Sequence, residues 1–267
     1  MRASSATTLP VLNCAVRQLE QRLENNSVLR SIKQLYGDKL AASDGEIGHV
    51  KDFYFDDQSW AIRYLVVDTG SWLSGRLVLI SPHAFGDLYE DANRLVVNLT
   101  RQQIENSPAI DEQKPVSRQF EAEYHRYYGW PTYWAGGGMW GTGGFPLSAP
   151  PQAKPLTEES GGSSNRNDPH LRSMRAVRGY QIQTGEGPIG HVIDFMIDDK
   201  SWAIRHLLVE TGHWFRGREI VISPKHVTRI SYEESKVFVN VSKQAIAEAK
   251  EYHVPRAAYH DTRGFDD

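Results

Sequence analysis

Three sets of residues have the types and spacing to do chemistry, and each set occurs twice. His49 and His191 are imidazoles that could ligate a metal or move a proton. Asp56-Asp57 and Asp198-Asp199 are neighbouring carboxylates that could form an acid/base dyad or part of a calcium loop, and Arg63 and Arg205 could clamp an anion. Each has a plainer reading. His49 and His191 alternate with Ile47 and Ile189, which puts them on an apolar strand face as satisfied histidines at a rim. The acidic pairs lack the alternating oxygen ligands and closing glutamate of a calcium loop and read as solvated turns. Arg63 and Arg205 share a face with Leu65 and Leu207, so each needs a carboxylate: Asp52 or Asp56 for the first, Asp194 or Asp198 for the second. His206, His213 and His226 stand where the first copy has Tyr64, Ser71 and Ala84, and spacing alone brings no three imidazoles together. No Ser, Cys or Lys has a base at a recognisable spacing, and Gly136-Gly137-Gly138 does not join a strand to a helix as a phosphate loop would. The sequence therefore predicts no catalytic residue, no metal site and no cofactor.

The duplication sets the organisation. A stretch of about 80 residues recurs without a gap at an offset of 142, so that Gly48, Trp60, Arg63 and Trp72 fall on Gly190, Trp202, Arg205 and Trp214. The chain divides into an N-terminal arm (1–28) with a short amphipathic helix over Ala15–Leu23, a first domain (29–108), a linker (109–170), a second domain (171–250) and a tail (251–267). Each copy has a full strand set, which predicts two independently closed units.

Composition narrows the class. The chain has 267 residues, is 40% hydrophobic and carries a net charge of −3, which gives no general reason to expect nucleic acid. Residues 29–106 hold 8 basic against 11 acidic side chains and residues 171–248 hold 11 against 9, so the copies should attract each other weakly. Cys14 is the one cysteine, which excludes an internal disulfide and fits a reducing, cytoplasmic setting. No window approaches the ~18 apolar residues of a membrane span.

Within each copy, apolar residues alternate with period two and turn residues interrupt them every 8–12 positions, the pattern of a small all-β domain with minor helix. Strands are expected at Ile47–Phe55, with Ile47, His49, Phe53 and Phe55 on one face, and at Trp60–Asp68, Arg76–Ile80 and Arg94–Leu99. Ser81-Pro82 should open a single helical turn, and Thr100 with Gln103 should form a capping box that Ser242 and Ala245 keep in part. Pro188 is tolerable only at the start of a strand or on an edge.

Between the copies, a helix is expected over Gln119–Tyr128, followed by aromatics too dense for a free linker. Tyr127, Tyr128, Trp130, Tyr133 and Trp134 are the candidate partner-binding residues, and Gln119–Trp134 is expected to pack across the two domains. Few Lys or Arg accompany them, which argues against stacking on single-stranded nucleic acid. Gly136–Gly144 and Pro146–Asn167 should be mobile.

At Ile47-Gly48-His49-Val50, Trp60–Gly70 and Ser81-Pro82, and again at Ile189–Val192 and Trp202–Gly212, the sequence resembles the PRC-barrel family. Known members include the cytoplasmic domain of the photosynthetic reaction-centre H subunit and the C-terminal domain of a ribosome-maturation factor. The resemblance implies two small, strongly bent β-barrels in tandem that act through their surfaces on a protein partner, in a membrane-associated or photosynthetic-type complex by that likeness alone. The alternative is a ligand- or metal-binding protein or enzyme with a site between the barrels.

Overall fold

A computed structural model describes residues 29–85, 94–108, 110, 116, 118–135, 138–141, 171–212, 217–249 and 251–252. The expected helix at Ala15–Leu23, the segment Pro146–Asn167, His213 and Trp214 lie outside the described residues.

One order of elements is laid down twice. The first copy has β1 (Leu29–Ser31), α1 (Ile32–Leu35), β2 (Lys39–Ala42), β3 (Gly45–Asp56), β4 (Ala61–Asp68), β5 (Leu77–Ile80), β6 (Arg94–Val96) and α2 (Arg101–Glu105). After the longer α3 (Arg118–Tyr128), the second copy repeats the series as β7 (Leu171–Ser173), α4 (Met174–Val177), β8 (Gln181–Thr184), β9 (Gly187–Asp198), β10 (Ile204–Thr211), β11 (Glu219–Ile222), β12 (Val227–Ser231), β13 (Lys236–Val239) and α5 (Lys243–Glu248), β12 being an additional strand among the described residues. The sheets run β5-β4-β3-β2-β6 and β11-β10-β9-β8-β13-β12, with only the β2–β6 and β8–β13 pairs parallel. The fold is mostly β, as the period-two pattern requires. The local signals hold as well. Ser81 caps a 3-10 turn that begins at Pro82, Thr100 and Gln103 form a full capping box, and Ser242 accepts from the Ala245 N–H.

The sheets bend at specific residues. β3 shifts register against β4 between Val50 and Asp52 and again between Tyr54 and Phe55. A further shift, of β2 against β3 between Leu40 and Ala41 and of β8 against β9 between Ile182 and Gln183, leaves Ile47 and Ile189 as extra residues and inverts the inside–outside alternation there, so Val50 is buried while His49 and His191 are exposed, not on the apolar face that strict alternation assigned them. Gly48 and Gly190 mark where the long strand crosses the end of its neighbour. A Cβ there would lie 1.9 Å from the Asp68 carbonyl oxygen in the first copy and 2.1 Å from that of Glu210 in the second.

The hairpin after β3 is held by Asp56, whose carboxylate accepts from the backbone N–H groups of Gln58 and Ser59, as Asp198 does from Lys200 and Ser201. Both hairpins end with a tryptophan in the left-handed region, Trp60 at φ 55° and Trp202 at φ 56°, a conformation that bulky side chains rarely adopt. It aims two carbonyls across a pseudo-two-fold axis. The Ile204 N–H donates to the Trp60 carbonyl at 2.7 Å, and the Ile62 N–H donates to the Trp202 carbonyl at 2.9 Å. Ala61 and Ala203 face each other on this axis.

Around the axis the copies exchange their first strands. β1 pairs with β9 of the second copy, Leu29 opposite Asp198 and Ser31 opposite Met196, and β7 pairs with β3 of the first in the equivalent register, Leu171 opposite Asp56 and Ser173 opposite Tyr54. The helices that follow pack on the same strands, α1 on β9 and α4 on β3. This corrects the expectation of independently closed units, because each sheet is completed by the other copy.

Each exchanged strand is fixed by a buried carboxylate. The Ser31 hydroxyl and Lys33 N–H donate to Asp194, and the Ser173 hydroxyl and Arg175 N–H donate to Asp52. Burial pushes both carboxyls above their usual range, and these hydrogen bonds pull them part of the way back. Arg30 pairs with Asp199 at 3.3 Å and Arg172 with Asp57 at 2.6 Å. Asp52 and Asp194 are thus not the partners of Arg63 and Arg205, which pair with Asp56 and Asp198 instead.

Replacing Asp52 with Ala removes a carboxylate that accepts across the interface and should destabilise the chain by about 2–3 kcal/mol. In urea, probes in both copies should shift together in one transition; two separated transitions would show that the copies unfold independently.

Candidate functional site

The largest polar and aromatic constellation lies where the chain between the copies covers β4 and β5. Glu121, Tyr124, His125 and Tyr128 fall at i, i+3, i+4 and i+7 on α3 and form its buried face. The Tyr124 hydroxyl donates to the Leu79 carbonyl, and that of Tyr127 to the Gln103 carbonyl at 2.8 Å. Beneath the helix, Tyr64 of β4 is fully buried, its hydroxyl 3.0 Å from both Glu121 Oε1 and His125 Nε2. Burial first, and then the neighbouring Glu121, hold the Tyr64 phenol far above its ordinary pKa, so it is a neutral donor. His125 Nδ1 lies 2.9 Å from the Pro131 carbonyl, which can only accept, so Nδ1 carries a hydrogen and Nε2 faces the tyrosine. The Tyr133 hydroxyl also donates to Glu121.

Arg63 is the largest fully buried side chain of the described residues. Its Nη2 donates to Ser59 Oγ at 2.8 Å and reaches Asp56 at 3.5 Å, while the guanidinium carbon lies 3.8 Å from the Tyr133 ring centre and 4.7 Å from that of Trp140. Nε and Nη1 have no hydrogen-bond partner among the described residues. The aromatic faces take that role, since a ring quadrupole attracts a desolvated cation. His83 packs in the same cluster, stacked on Trp130 and edge-on to Trp140. Burial, reinforced by Arg63, pushes the His83 imidazole down to about 4.

The structure sorts the predicted aromatics unequally. Tyr128, Trp130 and Tyr133 are buried, Trp134 is half-buried, and Tyr127 is 42% exposed. Most of the segment is therefore a core element of the first copy, because its rings close over Arg63 and Tyr64. Gly136–Gly144 is not uniformly mobile, since Trp140 is buried and its indole N–H donates to the Ser201 carbonyl at 3.2 Å. Through that bond the segment reaches the second copy, while Gln119–Trp134 rests on the first. Sequence reasoning passed over Glu121, His125, His83 and Trp140. The helical spacing of Glu121, Tyr124, His125 and Tyr128 was the available signal. Trp72 packs outside this cluster, under the Arg101 guanidinium at 4.4 Å.

A second feature lies between the copies, a cleft of about 300 Å³ lined by Asp57, Gln58, Trp60, Arg172, Val227, Thr228, Arg229 and Ile230. Among the described residues, no three His, Cys, Asp or Glu side chains come together in a metal-binding group, and no helix is long and apolar enough to cross a membrane.

The strand order, the glycine crossings and the Trp-led strands occur twice in one register, and residues 29–104 and 172–246 each match the PRC-barrel domain. The chain belongs to the PRC-barrel family. A comparison with curated proteins finds no match. The two PRC-barrel copies differ in what covers them. Arg63 is 2% exposed beneath the aromatic segment, whereas its counterpart Arg205, paired with Asp198 at 2.9 Å, is 40% exposed.

Trp130 is buried against four rings, those of His83, Tyr124, His125 and Tyr128, so Trp130→Ala should cost about 3–5 kcal/mol in chemical denaturation. Trp134→Ala should cost clearly less, and equal losses would contradict the assigned burial. A pH effect follows from His83. Its folded pKa of about 4 lies below the ordinary 6.5, so the unfolded chain takes up the proton first and stability falls as pH drops through that window. His83→Phe removes this contribution. The melting temperature of the wild type relative to the variant should therefore decline between about pH 7 and about pH 4.5, whereas a constant difference would show that His83 is not buried neutral.

Proposed function

We propose that this tandem PRC-barrel protein is a non-catalytic, cytoplasmic assembly module that presents one rigid surface to a protein partner. The observation that carries the reading is the asymmetry of the pair. Equivalent faces exist on both copies, and the chain covers one of them with its own aromatic segment. The groups best suited to chemistry, Tyr64, Glu121, His125 and Arg63, are buried and engaged with one another. Such an arrangement supports rigidity, and rigid placement favours recognition by lowering the ordering cost of binding.

A second reading has its own observation. The cleft between the copies combines the half-buried ring of Trp60 with Arg172 and Arg229, a composition suited to a small anionic ligand. The two separate experimentally. Affinity purification of the tagged full chain from its own cells should return one protein in stoichiometric amount, and a thermal-shift screen of anionic metabolites and divalent metals should return no saturable stabilisation. A saturable ligand in the absence of a stoichiometric protein would overturn the assembly reading.

A further inference from the structure

The pseudo-two-fold relates each residue under the aromatic segment to a counterpart on the second copy. Tyr64, Leu79, His83 and Arg63 correspond to His206, Val221, Lys225 and Arg205. On the first copy this face is closed, with Tyr64, Leu79 and Arg63 buried. On the second it is open among the described residues: His206 and Val221 are half-buried, and Lys225 is exposed. His206 Nδ1 is shielded from solvent and has no hydrogen-bond partner among the described residues. The face is also more basic than its counterpart, since Lys225 replaces His83. Ser59, the counterpart of the Ser201 whose carbonyl accepts from Trp140 on the closed side, stands in sequence between Gln58 and Trp60, which line the cleft.

We propose that this open face of the second copy is the partner-binding surface, and that its occupant is a helical segment of a partner protein carrying a carboxylate flanked by aromatic side chains. The inference rests on the assembly reading and names its surface. Two observations support the chemistry. The closed face is an internal precedent, in which a helix supplies Glu121 to Tyr64 while Tyr133 and Trp140 cover Arg63. The open face presents Arg205, Lys225 and His206, whose cationic or donor groups complement a carboxylate, and Arg205 has an aromatic-cage geometry available from its twin.

The probe is a fluorescein-labelled peptide of residues 117–141 titrated into the full-length protein and followed by anisotropy. The protein's own segment is tethered over the closed face at an effective concentration in the ~mM range, so added peptide is directed to the open one. Saturable binding with one peptide per chain is expected. It should weaken by at least about tenfold with Arg205→Glu and with Lys225→Glu, and also when the peptide carries Glu121→Lys. Lys39→Glu, on the exposed surface of the first copy, should leave it unchanged. Lys225 makes no ion pair among the described residues, so its variant guards against a folding defect in the Arg205 variant. Absence of saturable binding, or binding indifferent to both face variants, overturns the proposal. Binding that emerges only after removal of residues 253–267 also overturns it, by giving the face to the chain's own tail. If the stoichiometric partner is still captured by the Arg205→Glu and Lys225→Glu proteins, the assembly reading survives and this surface does not.

Discussion

Two serine–aspartate hydrogen bonds to buried carboxylates hold the molecule together in a way that neither sheet could manage alone. Ser31 on Asp194 and Ser173 on Asp52 fix three-residue strands that would not stay paired by their backbone hydrogen bonds only. A carboxylate taken out of water must have its lone pairs satisfied. One donor to each is the N–H of the next residue, Phe53 or Phe195, and the others come from the other copy, so the cost of burying Asp52 or Asp194 is offset in full only when the exchange is complete. The arginine pairs at Asp57 and Asp199 and the carbonyls of Trp60 and Trp202 lie around the same axis. Folding of one copy is thereby linked to folding of the other.

On this symmetric frame, the chain between the copies imposes a difference. Its helix and aromatic residues bury Arg63 and Tyr64 and reach Ser201, and they leave Arg205 and His206 with fewer neighbours. Among the described residues, one of two equivalent faces is covered and the other is not, a difference imposed without a change of fold. The substitutions at that face follow the same division. Tyr64 meets a carboxylate and a histidine in a dry site, whereas His206 and Lys225 are types that tolerate water.

The fold class, the hairpin at Asp56 and the caps at Ser81 and Thr100 were legible in the sequence because each shows in the pattern of neighbours within a few residues, and the docking of the aromatic segment was legible from its density of large aromatic side chains, though not where it docks. The strand exchange was not. Leu29-Arg30-Ser31 and Leu171-Arg172-Ser173 are the same motif, and their landing strands β3 and β9 both offer an aspartate at the matching place, so the sequence is equally compatible with pairing at home or across. The exposure of His49 escaped a strict alternation because the bulge at Ile47, between β2 and β3, is a property of the pairing. In the site, Arg63 was recognised as a charge in need of a partner, but its aromatic cover comes from Tyr133 and Trp140, about 70 residues away, a distance over which spacing carries no signal.

The central claim is that each copy is completed by the first strand of the other, and backbone nuclear Overhauser effects test it without altering a residue. In the full-length protein, deuterated and selectively labelled, the protons of Leu29–Ser31 should show cross-strand contacts to Met196–Asp198, and those of Leu171–Ser173 to Tyr54–Asp56. Contacts of Leu29–Ser31 to Tyr54–Asp56 instead would place each strand in its own copy and contradict the account.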